Sequence, residues 1–187
     1  MFHDVVQNED EWFDLRAGKV TGSIISKAMA NFGKAFGEPA KKAAGTIALE
    51  QIKGGRLNNS ITYSNADMDR GHEQEPIARA LYEQRLFCSV TNGGFFDNGD
   101  TGCSPDGLVG NIGMIEIKSV IGTQQISTIE RDSYDPSYKW QIIHNLKETD
   151  REWLDYLSYS ADFPVGKQLF IHRVHAEDLY PEFRKIN

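Results

Sequence analysis

The spacing of apolar residues changes along the chain, from the three-to-four period of helices in the first half to the alternation of strands in the second. Asp10 to Ala17 suits a short helix, and Thr21 or Ser23 is placed to cap a second one running to about Asn31. Gly33 and Gly37 then break the chain. A third helix is expected from about Pro39 to Lys53, with Pro in its first turn and Gly54-Gly55 as its stop. Its face of Ala40, Ala44, Ile47, Ala48 and Ile52 should pack on a sheet. Asn65 to Leu86 predicts a further helix with Ala78, Leu81, Tyr82 and Leu86 on one side. Gly71 and Pro76 disturb its first half, and Pro76 should kink it beside Glu75.

Three strands follow, near Ser89 to Phe96, Gly102 to Val109 and Met114 to Val120. A helix from Pro136 to Leu146 and strands near Trp153 to Tyr159 and Gln168 to His175 complete the pattern. This order predicts an α/β protein with a central sheet flanked by helices. At 187 residues, without repeat, low-complexity tract or proline-rich linker, it reads as one domain spanning 1–187.

The segment Met114 to Val120 carries the chemistry. Side chains alternate across a strand, so Glu116 and Lys118 share one face while Ile115 and Ile117 share the other. Asp106 reaches the same cleft if its strand pairs with this one across the turn at Gly110 to Gly113. A carboxylate and an ammonium are rarely buried together without partners or a metal. Two carboxylates and a strand carbonyl, for which Ile117 is the natural candidate, suit Mg2+ or Mn2+, with water and a phosphate completing the shell. Acid, nine intervening residues, acid, one apolar residue and lysine is thus the pattern of a metal-dependent phosphodiesterase. Ser-Pro-Asp-Gly is also a good β-turn sequence, so Asp106 is the member with the strongest competing explanation.

Composition narrows the class. Hydrophobic residues at 40% and charged residues at 25% are ordinary for a globular protein. No apolar run is long enough to span a bilayer, and MFHDVVQNEDEWF lacks a signal-peptide pattern, so a cytoplasmic protein is expected. Two cysteines, Cys88 and Cys103, exclude a disulfide framework and a four-cysteine cluster within the chain. A net charge of −7 is unusual for a phosphate-binding protein, but Arg16, Lys19, Lys27, Lys34, Lys41, Lys42, Lys53 and Arg56 concentrate positive charge in the first third.

Other residues extend the candidate site. Glu75 is a third carboxylate, delivered by the helix before the sheet. Gln141 lies at helical spacing with Tyr138 and Asn145 and is placed to orient water or a phosphate. Arg16 and Ser23 bracket a helix start, where a guanidinium, a hydroxyl and free amides can bind a phosphate. His172 and His175 fall on opposite faces of a strand, and His72 and His144 have no partner at ligand spacing, so no histidine centre is expected. Cys103 reads as a packed residue, and Trp12, Trp140 and Trp153 as core or subunit-contact residues.

Five ordered segments carry a family resemblance: LRAGKVTGS at 15–23, RGHEQE at 70–75, CSPDGL at 103–108, EIK at 116–118, and Gln141 in its helix. The chain resembles the phage lambda exonuclease family, the YqaJ-type viral recombinases of the PD-(D/E)xK nuclease superfamily. The resemblance implies a restriction-endonuclease-like fold with a central mixed sheet flanked by helices. It implies that Glu75, Asp106 and Glu116 bind catalytic divalent ions, two per site, and that Lys118 and Gln141 position or activate water. It further implies that Arg16 and Ser23, with Ser104, hold the terminal 5'-phosphate of DNA. One departure stands: the family's further acid upstream of SPDG has only Asp97 or Asp100 as counterparts, at non-matching spacing.

The expected activity is a Mg2+-dependent exonuclease that degrades one strand of duplex DNA from the 5' end, leaving 3' single strands for recombination by annealing. The competing readings are an endonuclease on the same fold, or a non-catalytic module that binds DNA ends. The resemblance also implies a ring-shaped homotrimer and a single-strand annealing protein as partner.

Overall fold

A computed structural model describes residues 1–32, 34–57 and 66–186. Along the chain run β1 (Phe2–His3), α1 (Asp10–Arg16), α2 (Gly22–Met29), α3 (Glu38–Lys53), α4 (Ala66–Leu86), β2 (Val90–Thr91), β3 (Phe95–Asp97), β4 (Gly102–Cys103), β5 (Gly107–Val109), β6 (Gly113–Ser119), α5 (Gly122–Arg131), α6 (Lys139–Thr149), β7 (Trp153–Tyr159), β8 (Leu169–His175) and α7 (Tyr180–Phe183). Gly33, read as a chain break, and Asn65, read as a helix start, lie outside the described residues. Among those described, no helix is long and apolar enough to cross a membrane.

The main sheet has the order β2-β5-β6-β7-β8, and only β6 and β7 run parallel. It is therefore mixed, with β6 at its centre. Alternation along β6 sorts the core into two layers. Met114 joins Tyr156, Ile142 and Leu146 beneath α6, while Ile115 and Ile117 join Ala78 and Tyr82 beneath α4. Tyr82 also donates a 2.7 Å hydrogen bond to the buried Asp155, which Arg173 engages through two further bonds, so α4 is tied to β7 by a satisfied polar network.

A parallel pair needs a long crossover. Residues between β6 and β7 supply it with α5 and α6. The sequence pattern does not foresee α5, because its apolar side faces outward: Ile126 and Ile129 are exposed while Gln125 and Thr128 are buried. Gln125 is satisfied in the core, donating to the Ser158 and Gln168 carbonyls and accepting from the Ser158 hydroxyl at 2.5 Å.

Three further expectations are corrected. The runs Ser89 to Phe96 and Gly102 to Val109 are each broken in two, with β3 and β4 pairing in a separate sheet of order β1-β3-β4. Both breaks fall where the chain crosses itself. A Cβ on Gly93 would stand 1.7 Å from the Pro105 carbonyl oxygen, so only glycine allows the crossing, and Pro105 has no N–H to give a ladder. The third correction concerns α3, which packs on α2 rather than on the sheet. Ala40 is its only buried residue, and Ile52 is 83% exposed.

Because a backbone atom meets the added methyl at Gly93, no side-chain rotation relieves it. Gly93→Ala is expected to lower stability by about 2–3 kcal/mol. Urea denaturation checks this: a lower midpoint at unchanged slope is the expected result.

Candidate active site

The edge of β6 explains how Asp106 becomes more than a turn residue. Its partner β5 ends with Gly107 opposite Ile115, which leaves the Ile117 amide beyond the ladder. Asp106 replaces the missing strand: its amide donates to the Ile115 carbonyl at 3.1 Å, and its Oδ2 accepts from the Ile117 amide at 2.6 Å. Arg79 of α4 donates to the Asp106 carbonyl oxygen. Oδ1 of Asp106 receives no hydrogen bond among the described residues and lines the cleft side of the strand.

Glu116 points to the opposite layer from Ile115 and is 1% exposed. Three donors hold it. Its Oε1 accepts from Lys118 Nζ at 2.6 Å and Gln141 Nε2 at 2.5 Å, and its Oε2 accepts from Asn145 Nδ2 at 3.0 Å. Gln141 and Asn145 are four residues apart and share one face of α6. Lys118 Nζ also lies 4.7 Å from the centre of the Tyr138 ring. Helical spacing puts Asn145 beside Gln141, and its geometry makes it the third clamp on the carboxylate.

Glu75, carried by α4, lines a cleft of about 580 Å³ with Asp106, Ile117, Lys118, Arg70 and His72. Helix α4 runs continuously through Pro76. Among the described residues, Arg79 is the ion-pair partner of Glu75, at 4.0 Å. Burial pushes the Asp106 carboxyl well above its usual range, and the charges of Glu116 and Glu75 push it further. Burial also raises Glu75, with Arg79 opposing and Glu116 adding to the rise. For Lys118, burial disfavours the ammonium, but Glu116 and Asp106 outweigh it and hold the side chain protonated above its ordinary value.

Among the described residues, no three acid, histidine or cysteine side chains stand close enough to form a ready metal cage. The donor set nevertheless fits a hard divalent cation. Such a cation needs only one or two carboxylates beside water and phosphate, and two of the three acids, Asp106 and Glu75, are pushed toward protonation by burial and by the charge of Glu116. Asp106, Glu116, Glu75 and the Ile117 carbonyl are the groups that could hold it.

Arg16 and Ser23 meet in a second cleft, of about 630 Å³, between α2 and α3. Arg16 stacks 4.0 Å above the Trp12 ring and donates to Thr21 Oγ1 at 3.3 Å. No carboxylate pairs with it among the described residues, and burial lowers its pKa to about 10 against a small opposing effect of Cys103. Ser104 does not line this cleft; its hydroxyl accepts from Trp12 Nε1 at 2.7 Å, at the edge of the ring whose face carries Arg16. Gly22, between Thr21 and Ser23 of this cleft, links it to the Glu116 clamp. A Cβ there would stand 3.0 Å from Asn145 Oδ1 and 3.1 Å from Gln141 Cγ, so the start of α2 rests on the residues that clamp Glu116.

The remaining candidates separate from the site. Asp97 binds Lys19 Nζ at 2.9 Å in the smaller sheet, and Asp100 contributes its carbonyl to Val20, so neither reaches the cleft. His144 is buried and bonded to the Gly102 carbonyl, and His172 sits beside Tyr134. Cys103 is fully buried, which raises its thiol pKa well above the ordinary value. Trp12 is core, Trp140 lies against Phe32, and Trp153 is covered by Arg173 at 3.7 Å.

A mixed sheet flanked by helices, with an acid at a strand edge and an acid and a lysine on the central strand, defines a nuclease of the PD-(D/E)xK fold class. Residues 11–152 match the model of the YqaJ-like viral recombinase domain, and the chain belongs to that family. Among solved structures, it is similar to an alkaline exonuclease, LHK-Exo from Laribacter hongkongensis. The match has 32% identity and a TM-score of 0.79, over 94% of this chain and 87% of that one. The same exonuclease in complex with dAMP matches at 33% identity and a TM-score of 0.80, with the same coverage. A phage related exonuclease from Haemophilus somnus shares the fold, at 14% identity, a TM-score of 0.60 and 89% of each chain. No curated protein matches the chain.

The raised carboxyls set a pH dependence for the metal-free protein. Asp106 and Glu75 keep protons when folded that the unfolded chain loses above about pH 4. The folded state then binds more protons, so stability falls as pH rises from that point through the raised values. Asp106→Asn should lose less Tm between pH 5 and pH 8 in EDTA than the parent protein. An equal loss in both contradicts the assignment.

Proposed function

We propose that this nuclease hydrolyses duplex DNA from the 5' end with Mg2+ or Mn2+, leaving a 3' single strand. The observation that carries the reading is the contact at Gly22, which lies between Thr21 and Ser23 of the arginine cleft and packs on Gln141 and Asn145, the residues that bond Glu116; Arg16 itself has no carboxylate partner among the described residues. A strand end held by its phosphate at Arg16 and Ser23, with Ser104 steadying Trp12 beneath the guanidinium, is presented to the carboxylates across Gly22. The distance between the clefts then selects the bond to be cut.

Asp106 and Glu116, with Glu75 and the Ile117 carbonyl, would hold the cations, two per site. When bound, these supply Lewis-acid activation of water and neutralise charge on the phosphate. The chain's own residues do the rest. Asn145 and Gln141 fix the rotamer of Glu116, and Gln141 offers its amide to water or a phosphate oxygen. Lys118, held protonated by its neighbours, stabilises the negative charge that develops on the phosphate. By family resemblance the working form is a ring of three copies that hands its product to an annealing protein. A stable monomer in sedimentation at working concentration counts against the ring.

Linear duplexes labelled at either end decide the reading. With Mg2+, nucleotides should leave the 5' end, the 3' label should persist, and circular duplex should survive. Lys118→Ala should reduce the rate by about 10²–10³-fold, and full activity in that variant overturns the assignment. Asn145→Ala should weaken Mn2+ binding about 10–100-fold by calorimetry, as expected when the partner of a metal-bound carboxylate is lost.

A further inference from the structure

The cleft between α2 and α3 carries more positive charge than one phosphate requires. Helix α2 presents Ser23 and Lys27 to it, and α3 presents Lys42 and Thr46, each pair four residues apart on one helix face. Among the described residues, neither Lys27 nor Lys42 has an ion-pair partner. The cleft's other charges are already engaged. Lys19 binds Asp97 at 2.9 Å, Glu38 binds Lys41 at 2.8 Å, and Glu50 accepts from the Gly18 amide at 2.8 Å. Arg16, Lys27 and Lys42 are thus three cations without an ion-pair partner among the described residues, and Glu50, bonded to a neutral amide, offsets only one of them. Such like charges repel one another unless anions enter. Ile24, Ala43 and Ile47 form an apolar wall between the cations.

We propose that this cleft holds two neighbouring phosphate groups, the first at Arg16 and Ser23 and the second at Lys27 and Lys42. The inference rests on the reading of Arg16 and Ser23 as the terminal-phosphate site and extends it to two lysines which that reading leaves unused. The second phosphate is joined to the first by an anhydride, as in a 5'-triphosphate end, because the first diester of the strand is the bond presented to the carboxylates.

The test is fluorescence anisotropy with single-stranded oligonucleotides bearing a 5'-hydroxyl, 5'-monophosphate or 5'-triphosphate, in EDTA so that nothing is cut, over a series of salt concentrations. Each neutralised phosphate contributes about 0.7 to the slope of log affinity against log salt for a single strand. Lys27→Ala and Lys42→Ala should each lower that slope by about 0.7. Lys167→Ala, an exposed lysine outside the cleft, should leave it unchanged. All three lysines are exposed, so the variants fold. The triphosphate strand should bind about tenfold tighter than the monophosphate, and Lys27→Ala should abolish the gain; equal binding of the two strands overturns the second phosphate. Parental slopes in Lys27→Ala, Lys42→Ala and the double variant overturn the second phosphate. If Arg16→Ala loses 5'-phosphate preference in the same series, only the second group fails. If Arg16→Ala keeps that preference, the terminal-phosphate reading fails, and the proposed pair with it.

Discussion

A carboxylate in the core of a sheet is the constraint on which the site depends. Glu116 is 1% exposed, and an ionised group there is tolerated only when its oxygens are satisfied. Lys118 on the same strand and Gln141 and Asn145 on α6 satisfy it. Helix α6 is therefore tied to β6 by polar bonds as well as by Met114, Ile142 and Leu146. Helix α2 then rests on α6 at Gly22, and α3 on α2, so the arginine cleft takes its position from the same carboxylate.

The edge of β6 adds a second constraint. A strand whose neighbour stops early leaves an amide that must find a partner. Asp106 meets that need with one oxygen and leaves the other unbonded toward the cleft. Asp106 stands at a bend just before β5, where its amide still bonds the Ile115 carbonyl and its side chain takes the next amide along β6. The crossing of Gly93 and Pro105 sets where β5 begins and so how far the carboxylate can reach.

Mutual repulsion among Asp106, Glu75 and Glu116 runs against stability in the absence of a cation, as does burial of Arg16, which has no carboxylate partner among the described residues. Strain of this electrostatic kind concentrates where a protein binds ions. The bidentate pair of Arg173 with Asp155 and Tyr82, by comparison, is satisfied within the fold and ties α4 to the sheet.

Much was legible from residues alone. Alternation placed Glu116 and Lys118 on one face of a strand and the isoleucines on the other, because side-chain direction in a strand depends only on position. Helical spacing placed Gln141 with Asn145 and Tyr138 for the same reason. Local pattern could not reveal where strands break, because Gly93 and Pro105 meet only in three dimensions. It missed α5, whose buried face is polar and is satisfied by Ser158 and Gln168 from distant strands. It misjudged α3, whose apolar residues find no sheet to cover. Which acids converge, that Asn145 completes the clamp on Glu116, and that Lys27 and Lys42 share a cleft with Arg16 were decided by tertiary structure. Contacts between residues far apart in the chain depend on how elements pack, and packing leaves no period in the sequence.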